Sequence, residues 1–172
     1  MNEINSVTQT ELDGQLFEFD FPAFQIGVAE YGPGITGCTV FKFNKRLPTA
    51  VDIRGGDPAI SEPQYHAYDA ICFAGGSLQG LGVLSGVRQA LFEENGPDRD
   101  LVSCAAVNDW YQRDQTVNPD NSLGYAAYKS VLPNQFLLGR HGAGTNIWVG
   151  GGRGRGVGEA EQAGQGAAFL QF

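Results

Sequence analysis

The sequence predicts an α+β layered domain, and three observations carry that prediction. Four strand-like segments, Leu16 to Phe21, Phe24 to Tyr31, Cys38 to Phe43 and Ala50 to Arg54, follow one another with only short turns between them. An apolar run from Ala70 to Ala74 breaks at Gly75-Gly76 and passes into a segment of helical period that Gly96 stops. A second strand-like run, Leu101 to Val107, precedes a second helical segment. Strands met in succession, with helices gathered later, fit a layered sheet better than a repeating βαβ unit.

Composition narrows the function classes. A chain of 172 residues suits one ordinary domain with its own core. Its 25 glycines are about twice the usual share of about 7%. They are scattered among apolar runs, which points to tight turns and close backbone packing rather than to disorder. A net charge of −8 argues against nucleic acid and against an anionic membrane surface as partner. No apolar run approaches the roughly 20 residues that span a bilayer, and the opening MNEINSVTQTELDG is polar and acidic, unlike a secretory leader. The expectation is a cytoplasmic protein. Cys38, Cys72 and Cys104 each lie inside an apolar run and read as buried reduced thiols. His66 and His141 are the two histidines, without a CxxC or HxxxH pattern, so neither a metal nor a cofactor is expected.

In chain order, residues 1–14 read as a flexible lead-in and 15–172 as one domain. Leu16 to Phe21 alternates apolar and acidic residues, the period of a half-buried strand. Cys38 to Phe43 also alternates, with Lys42 expected to point away from Val40. Asn44 to Pro48 reads as a turn into Ala50 to Arg54, and residues 57–68 as a polar loop. In the helix before Gly96, Leu81, Leu84, Val87 and Leu91 fall near one face, with Gly80, Gly82 and Gly86 available for close packing. Asn118 reads as the cap of the second helix, with Pro119 at its first position and Pro133 beyond its end. Phe136 to Leu138 and Ile147 to Val149 are short apolar pieces. The final AAFLQF is strand-like without a polar tail, and reads as a fold interrupted before its partner strand.

Several motifs come close to known chemistry. GGSLQG has the spacing of a phosphate loop, but Leu81 stands where lysine is needed. It also misses the Gly-x-Ser-x-Gly nucleophile elbow, because Gln79 occupies the second glycine position. Close packing through the glycines is the simpler reading. GGRGRGVGE reads as a flexible loop. Cys38 would be a nucleophile only if His66 or His141 approached it; a core thiol is the alternative. Arg140 and His141, beside Gly142-Ala143-Gly144, suit a carboxylate or a carbonyl oxygen, or else form a solvated turn. Asn108, closing a buried strand, would present an amide at a sheet end or simply serve a turn.

Taken together, GITGCTVFKF, AVDIRGG, AICFAGGSLQGLGVLSGV, LVSCAAVNDW, NPDNSLGYAA, GAGTNIWVGG and GQGAAF resemble a known family. It is the autoprocessed peptidase family of L-aminopeptidase/D-esterases, β-peptidyl aminopeptidases and 6-aminohexanoate-oligomer hydrolases, with the last the nearest. The resemblance spans roughly residues 24 to 172. It implies a four-layer αββα sandwich of N-terminal-nucleophile type, made as one precursor that cuts itself into two chains. This chain would be the larger, α-type portion. The nucleophilic Ser or Thr and an oxyanion-hole Asn would lie beyond Phe172, on a downstream β-type chain, and its α-amine would act as the base.

The resemblance also implies site residues. Asn108 would contact the reacting carbonyl, and Gln79, Arg140 and Asn146 would bind a small amide or peptide substrate. Relatives usually carry Tyr where Asn108 stands, several carry Lys where Gly151 stands, and the oligomer hydrolases place an aromatic residue at position 79. These departures imply a more polar, wider pocket and altered proton handling. The expected assembly is a homo-oligomer of heterodimers. A non-catalytic binding or structural subunit that keeps the fold is the rival expectation.

Overall fold

A computed structural model describes residues 7–32, 36–55, 58–107, 117–149 and 161–171. In chain order the strands are β1 (Thr8–Gln9), β2 (Leu16–Glu18), β3 (Phe24–Tyr31), β4 (Thr36–Pro48), β5 (Ile60–Ser61) and β6 (Ala67–Ala74). Helix α1 (Leu84–Asn95), β7 (Val102–Ala106) and α2 (Asn121–Lys129) follow. The described chain is completed by β8 (Leu132–Pro133), β9 (Gln135–Leu137), β10 (Trp148–Val149) and β11 (Glu161–Gln162). Among the described residues the main sheet runs β1-β3-β4-β6-β7-β5, with β8 added on β3. The β6–β7 pair is parallel and the other ladders are antiparallel. The sheet is therefore mixed and the domain α+β.

One face of the sheet is built from small side chains. Ala29, Cys38, Val40, Ala70, Cys72, Ala74, Val102 and Cys104 pack beneath Val83, Val87, Leu91, Leu123, Ala127 and Tyr128 of the helical layer. Small residues let the helices sit close, and close packing is what stabilises a core. The two helices also touch each other through glycine. A Cβ on Gly86 would overlap the carbonyl of Asn121, and one on Gly124 would overlap that of Val83. The segment from Ala70 to Gly96 thus folds as a strand, a glycine corner, a 3-10 turn (Ser77–Val83) and α1, with Gly96 at φ 70° ending the helix.

The structure departs from the sequence expectations in several places, and the stretch 57–68, expected as a polar loop, holds β5 and the start of β6. Asn44 to Pro48 is not a turn: β4 continues through it, with a bulge between Lys42 and Leu47 that restores pairing to β6. Ala50 to Arg54 forms no strand, because both sides of β4 are already taken by β3 and β6; Val51 and Ile53 stay exposed. Lys42 shares the face of Val40, as residues two apart in a strand must, and its ammonium reaches Glu94 at 2.6 Å and the ring of Tyr128. The cap of α2 is Asp120 rather than Asn118. Asp120 is the extended residue, and its Oδ1 accepts from Leu123 N–H at 3.1 Å and from the Tyr31 hydroxyl at 2.5 Å. In addition, residues 166–170 take no regular structure, and Phe169 instead packs on Phe19 and Phe21.

At the start of β6 the fully buried Asp69 gathers a loop around itself. Its carboxylate accepts from Arg46 at 2.7 and 3.1 Å, from Arg99 at 3.0 Å and from Leu101 N–H at 3.1 Å. Burial alone would raise its pKa, but the donors from Arg46, Arg99 and Leu101 prevail and hold it below the usual carboxylate range. A depressed folded-state pKa means that this stabilisation is present above the unfolded value of about 3.9 and is lost as pH falls through the folded one. Replacing Asp69 by Asn should lower unfolding stability at pH 7 by about 2–3 kcal/mol, since it takes from Arg99 its carboxylate partner and leaves Arg46 only the exposed Asp100. The variant should also lose less stability than wild type on acidification. Urea unfolding at several pH values reads both. A second variant, Gly86→Ala, should destabilise despite the higher helix propensity of Ala, by about 2 kcal/mol or more, because the added methyl must separate α1 from α2.

Candidate active site

The opposite face of the sheet carries larger and more polar side chains. Cross-strand pairing places Val28 beside Thr39, Ile26 beside Phe41, Phe41 beside Ile71 and Thr39 beside Phe73. Over this face lies a cleft of about 220 Å³ at the carboxyl ends of β6 and β7. One wall is apolar: Phe41, Phe73, Val107, Phe136 and Ile147. The Phe41 and Phe73 rings meet edge-to-face with centroids 5.9 Å apart, and Phe136 lies 6.1 Å from Phe41. A smaller pocket of about 140 Å³ shares Phe41, Phe136 and Gly166 and extends toward Phe17, Phe24 and Phe169.

The other wall is polar and hydrogen-bonded throughout. It consists of Thr39, Gln165 and the last two residues, Ala143 and Gly144, of the 3-10 turn Gly142–Gly144. The Thr39 hydroxyl donates to Gln165 Oε1 at 2.9 Å and accepts from Ala143 N–H at 3.1 Å. Gln165 Nε2 donates to the Leu137 carbonyl at 2.7 Å, and the Gln165 and Gly139 backbones exchange two hydrogen bonds of 2.8 Å. The turn needs glycine. Gly142 sits at φ 52°, and a Cβ there would overlap the Thr39 hydroxyl. Beneath it, Glu30 is 6% exposed and accepts from Gly142 N–H at 2.8 Å. Its other partner is His141 Nδ1 at 3.1 Å.

The sequence-expected residues are dispersed around this cleft. Gln79 is exposed in the 3-10 turn on the helical side, and Arg140 is exposed and donates to Gln162 Oε1 at 2.5 Å. Asn146 is half-buried and accepts from Trp148 Nε1 at 3.2 Å, immediately before Ile147 of the cleft wall. Asn108 and Gly151 lie outside the described residues, although Val107, which precedes Asn108, lines the cleft. His66 is exposed. Cys38 is fully buried on the helical face, and burial, together with its neighbour Cys104, pushes its thiol pKa up, so it stays protonated, as a core thiol does. At the glycine corner, the N–H groups of Gly75, Ser77 and Gln79 are spent on the carbonyls of Gly37, Val107 and Gly76, which leaves the phosphate-loop reading without these donors.

Glu30, Thr39 and Gln165 escaped the sequence reading. Glu30 did leave a signal, as the one carboxylate in the apolar run FQIGVAEY, on the same face as Ile26 and Val28. Among the described residues no group of three or more His, Cys, Asp or Glu is placed to hold a metal ion. Among them, too, no helix is long and apolar enough to cross a membrane.

The fold and cleft define a mixed α+β domain whose site pairs an aromatic wall with an ordered amide-and-hydroxyl wall. No protein-family model matches the chain. Curated relatives do. The chain is 39% identical, over 92% of its length, to the 6-aminohexanoate-oligomer endohydrolases of an Agromyces species and of Paenarthrobacter ureafaciens. It is 40% identical, over 91% of its length, to a putative NylC-analogous protein of the Agromyces species. It covers 45% of each endohydrolase and 52% of the third protein, so the chain spans about half the length of the curated relatives it matches. The chain is thus a homologue of the 6-aminohexanoate-oligomer endohydrolases along nearly all of its own length.

The polar wall can be probed directly. Thr39→Val keeps the shape but strips Ala143 N–H and Gln165 Oε1 of their partner, and should lower stability by about 1–3 kcal/mol. Thr39→Ser should restore most of that. Urea midpoints of the three proteins provide the comparison.

Proposed function

We propose that this chain is the α-type portion of a self-processed N-terminal-nucleophile amidohydrolase that cleaves a small amide or short peptide. The observation that carries the proposal is the similarity along 92% of the chain to proteins named for hydrolysing 6-aminohexanoate oligomers. Two features of the fold support it. Helices cover one face of the sheet, whereas the other face presents aromatic side chains, with Phe73 still 38% exposed. A second sheet from a downstream β-type chain would cover that face and complete an αββα sandwich. The apolar wall of the cleft would take the methylene spacer of an amide substrate, since each buried CH₂ contributes about 0.8 kcal/mol.

In this reading the N-terminal Ser or Thr of the β-type chain attacks the amide carbon, and its hydroxyl proton passes to its own α-amine. The tetrahedral intermediate collapses to an ester as the proton is handed to the departing amine. Water then hydrolyses the ester to a carboxylic acid and the free hydroxyl. Asn108 would orient the reacting carbonyl, and Gln79, Arg140 and Asn146 would contact the rest of the substrate. The working assembly is a homo-oligomer of such heterodimers.

Intact-mass spectrometry of the assembled protein should reveal a second polypeptide that begins with Ser or Thr, and an amidase assay on a short 6-aminohexanoate oligomer should show turnover. Asn108→Ala should lower that turnover by about 100-fold, the usual effect of losing an oxyanion or carbonyl donor. A single uncut chain without such a terminus would overturn the catalytic reading. A processed assembly with no turnover on any amide would leave the non-catalytic subunit in its place, and unchanged turnover in Asn108→Ala would remove that residue from the site.

A further inference from the structure

We infer that Glu30 and His141 form a positioning pair that sets the polar wall of the cleft. The inference rests on the amidohydrolase reading for its effect on turnover, but on geometry alone for its effect on the wall. Glu30 is a buried carboxylate whose partners both lie more than a hundred residues downstream: Gly142 N–H at 2.8 Å and His141 Nδ1 at 3.1 Å. Burying a carboxylate is unfavourable unless donors meet it, so the strand that carries Glu30 dictates where residues 141 and 142 must lie. Gly142 opens the 3-10 turn whose next two residues line the cleft. Ala143 N–H then locks onto Thr39, and Thr39 holds Gln165, so the whole polar wall is referred back to one carboxylate.

The imidazole is itself confined. Its Nε2 edge faces Gly14, where a Cβ would stand 2.6 Å away, and its side chain is 21% exposed. His141 is therefore held between β3 and the segment before β2, and fixes the direction from which the chain enters the turn. Neither residue lines the cleft, so neither is a catalytic residue. They act through Gly142, Ala143 and Thr39.

The test compares wild type with Glu30→Ala, Glu30→Asp and Glu30→Gln by amide hydrogen exchange and by steady-state kinetics. In Glu30→Ala, exchange at Gly142 and Ala143 should accelerate by about tenfold or more while β6 amides keep their protection. Glu30→Asp keeps the charge but withdraws it by one methylene, and should show the same local effect; it serves if the Ala variant does not fold. Glu30→Gln retains a carbonyl acceptor and should recover most of the Gly142 protection. On an amide substrate, kcat should fall about tenfold in the Asp variant with KM changed by less than about threefold, because the apolar wall is intact while the amide is misdirected. Unchanged exchange at Gly142 in both the Ala and Asp variants would overturn the inference, as would a loss of protection spread evenly over the sheet. If wild type hydrolyses no amide, the functional reading fails and exchange alone judges the pair.

Discussion

The two-sidedness of β4 is the constraint on which the rest of the structure depends. Successive residues of a strand face opposite ways, so Cys38 and Val40 enter the helix-covered core while Thr39 and Phe41 face the cleft. The core side must be small, because α1 and α2 approach each other and the sheet through glycine and alanine. The cleft side must supply one hydroxyl and one ring. A slip of one residue in register would exchange the two sets, placing a phenylalanine under the helices and a thiol in the cleft. Eight register partners with β3 and the ladder to β6 exclude that slip.

Two buried carboxylates then tie the connecting loops to the sheet, one near each end. Asp69, at the start of β6, is met by two guanidiniums and a backbone N–H and draws in the segment before β7. Glu30, near the end of β3, is met by one backbone N–H and one imidazole and draws in the turn at Gly142. Each carboxylate is met by polar partners because one without them would be too unfavourable to bury. The consequence is that loops far apart in the chain converge on fixed points of a rigid scaffold, which is where binding residues are usually carried.

The parts of the fold legible in the sequence were those whose signal is local. FQIGVAEY, AICFA and LVSCAAV are short apolar runs bounded by turn residues, and they form β3, the body of β6 and β7. Gly96 ends α1 because only glycine takes its positive φ at little expense. Where two local signals competed, tertiary contacts decided. Asn118-Pro119 has the form of a helix start, but the hydroxyl of Tyr31 and the N–H of Leu123 both converge on Asp120. Asn44 to Pro48 has the composition of a turn, yet a bulge and the reach of Arg46 to Asp69 keep it in the sheet. The polar wall was legible only in fragments, because Thr39, Ala143 and Gln165 share no spacing, only a meeting point.

By itself the sequence determined the α+β class, the strand-corner-helix unit from Ala70 to Gly96, the buried thiols and the likeness to oligomer hydrolases. Each depends on neighbours in the chain or on an ordered set of segments. Tertiary structure alone decided which residues surround the cleft and that Glu30 governs its polar wall. The physical reason is that hydrogen bonds and ring contacts between strands and distant loops are set by register and crossing geometry, which no periodicity along the chain encodes.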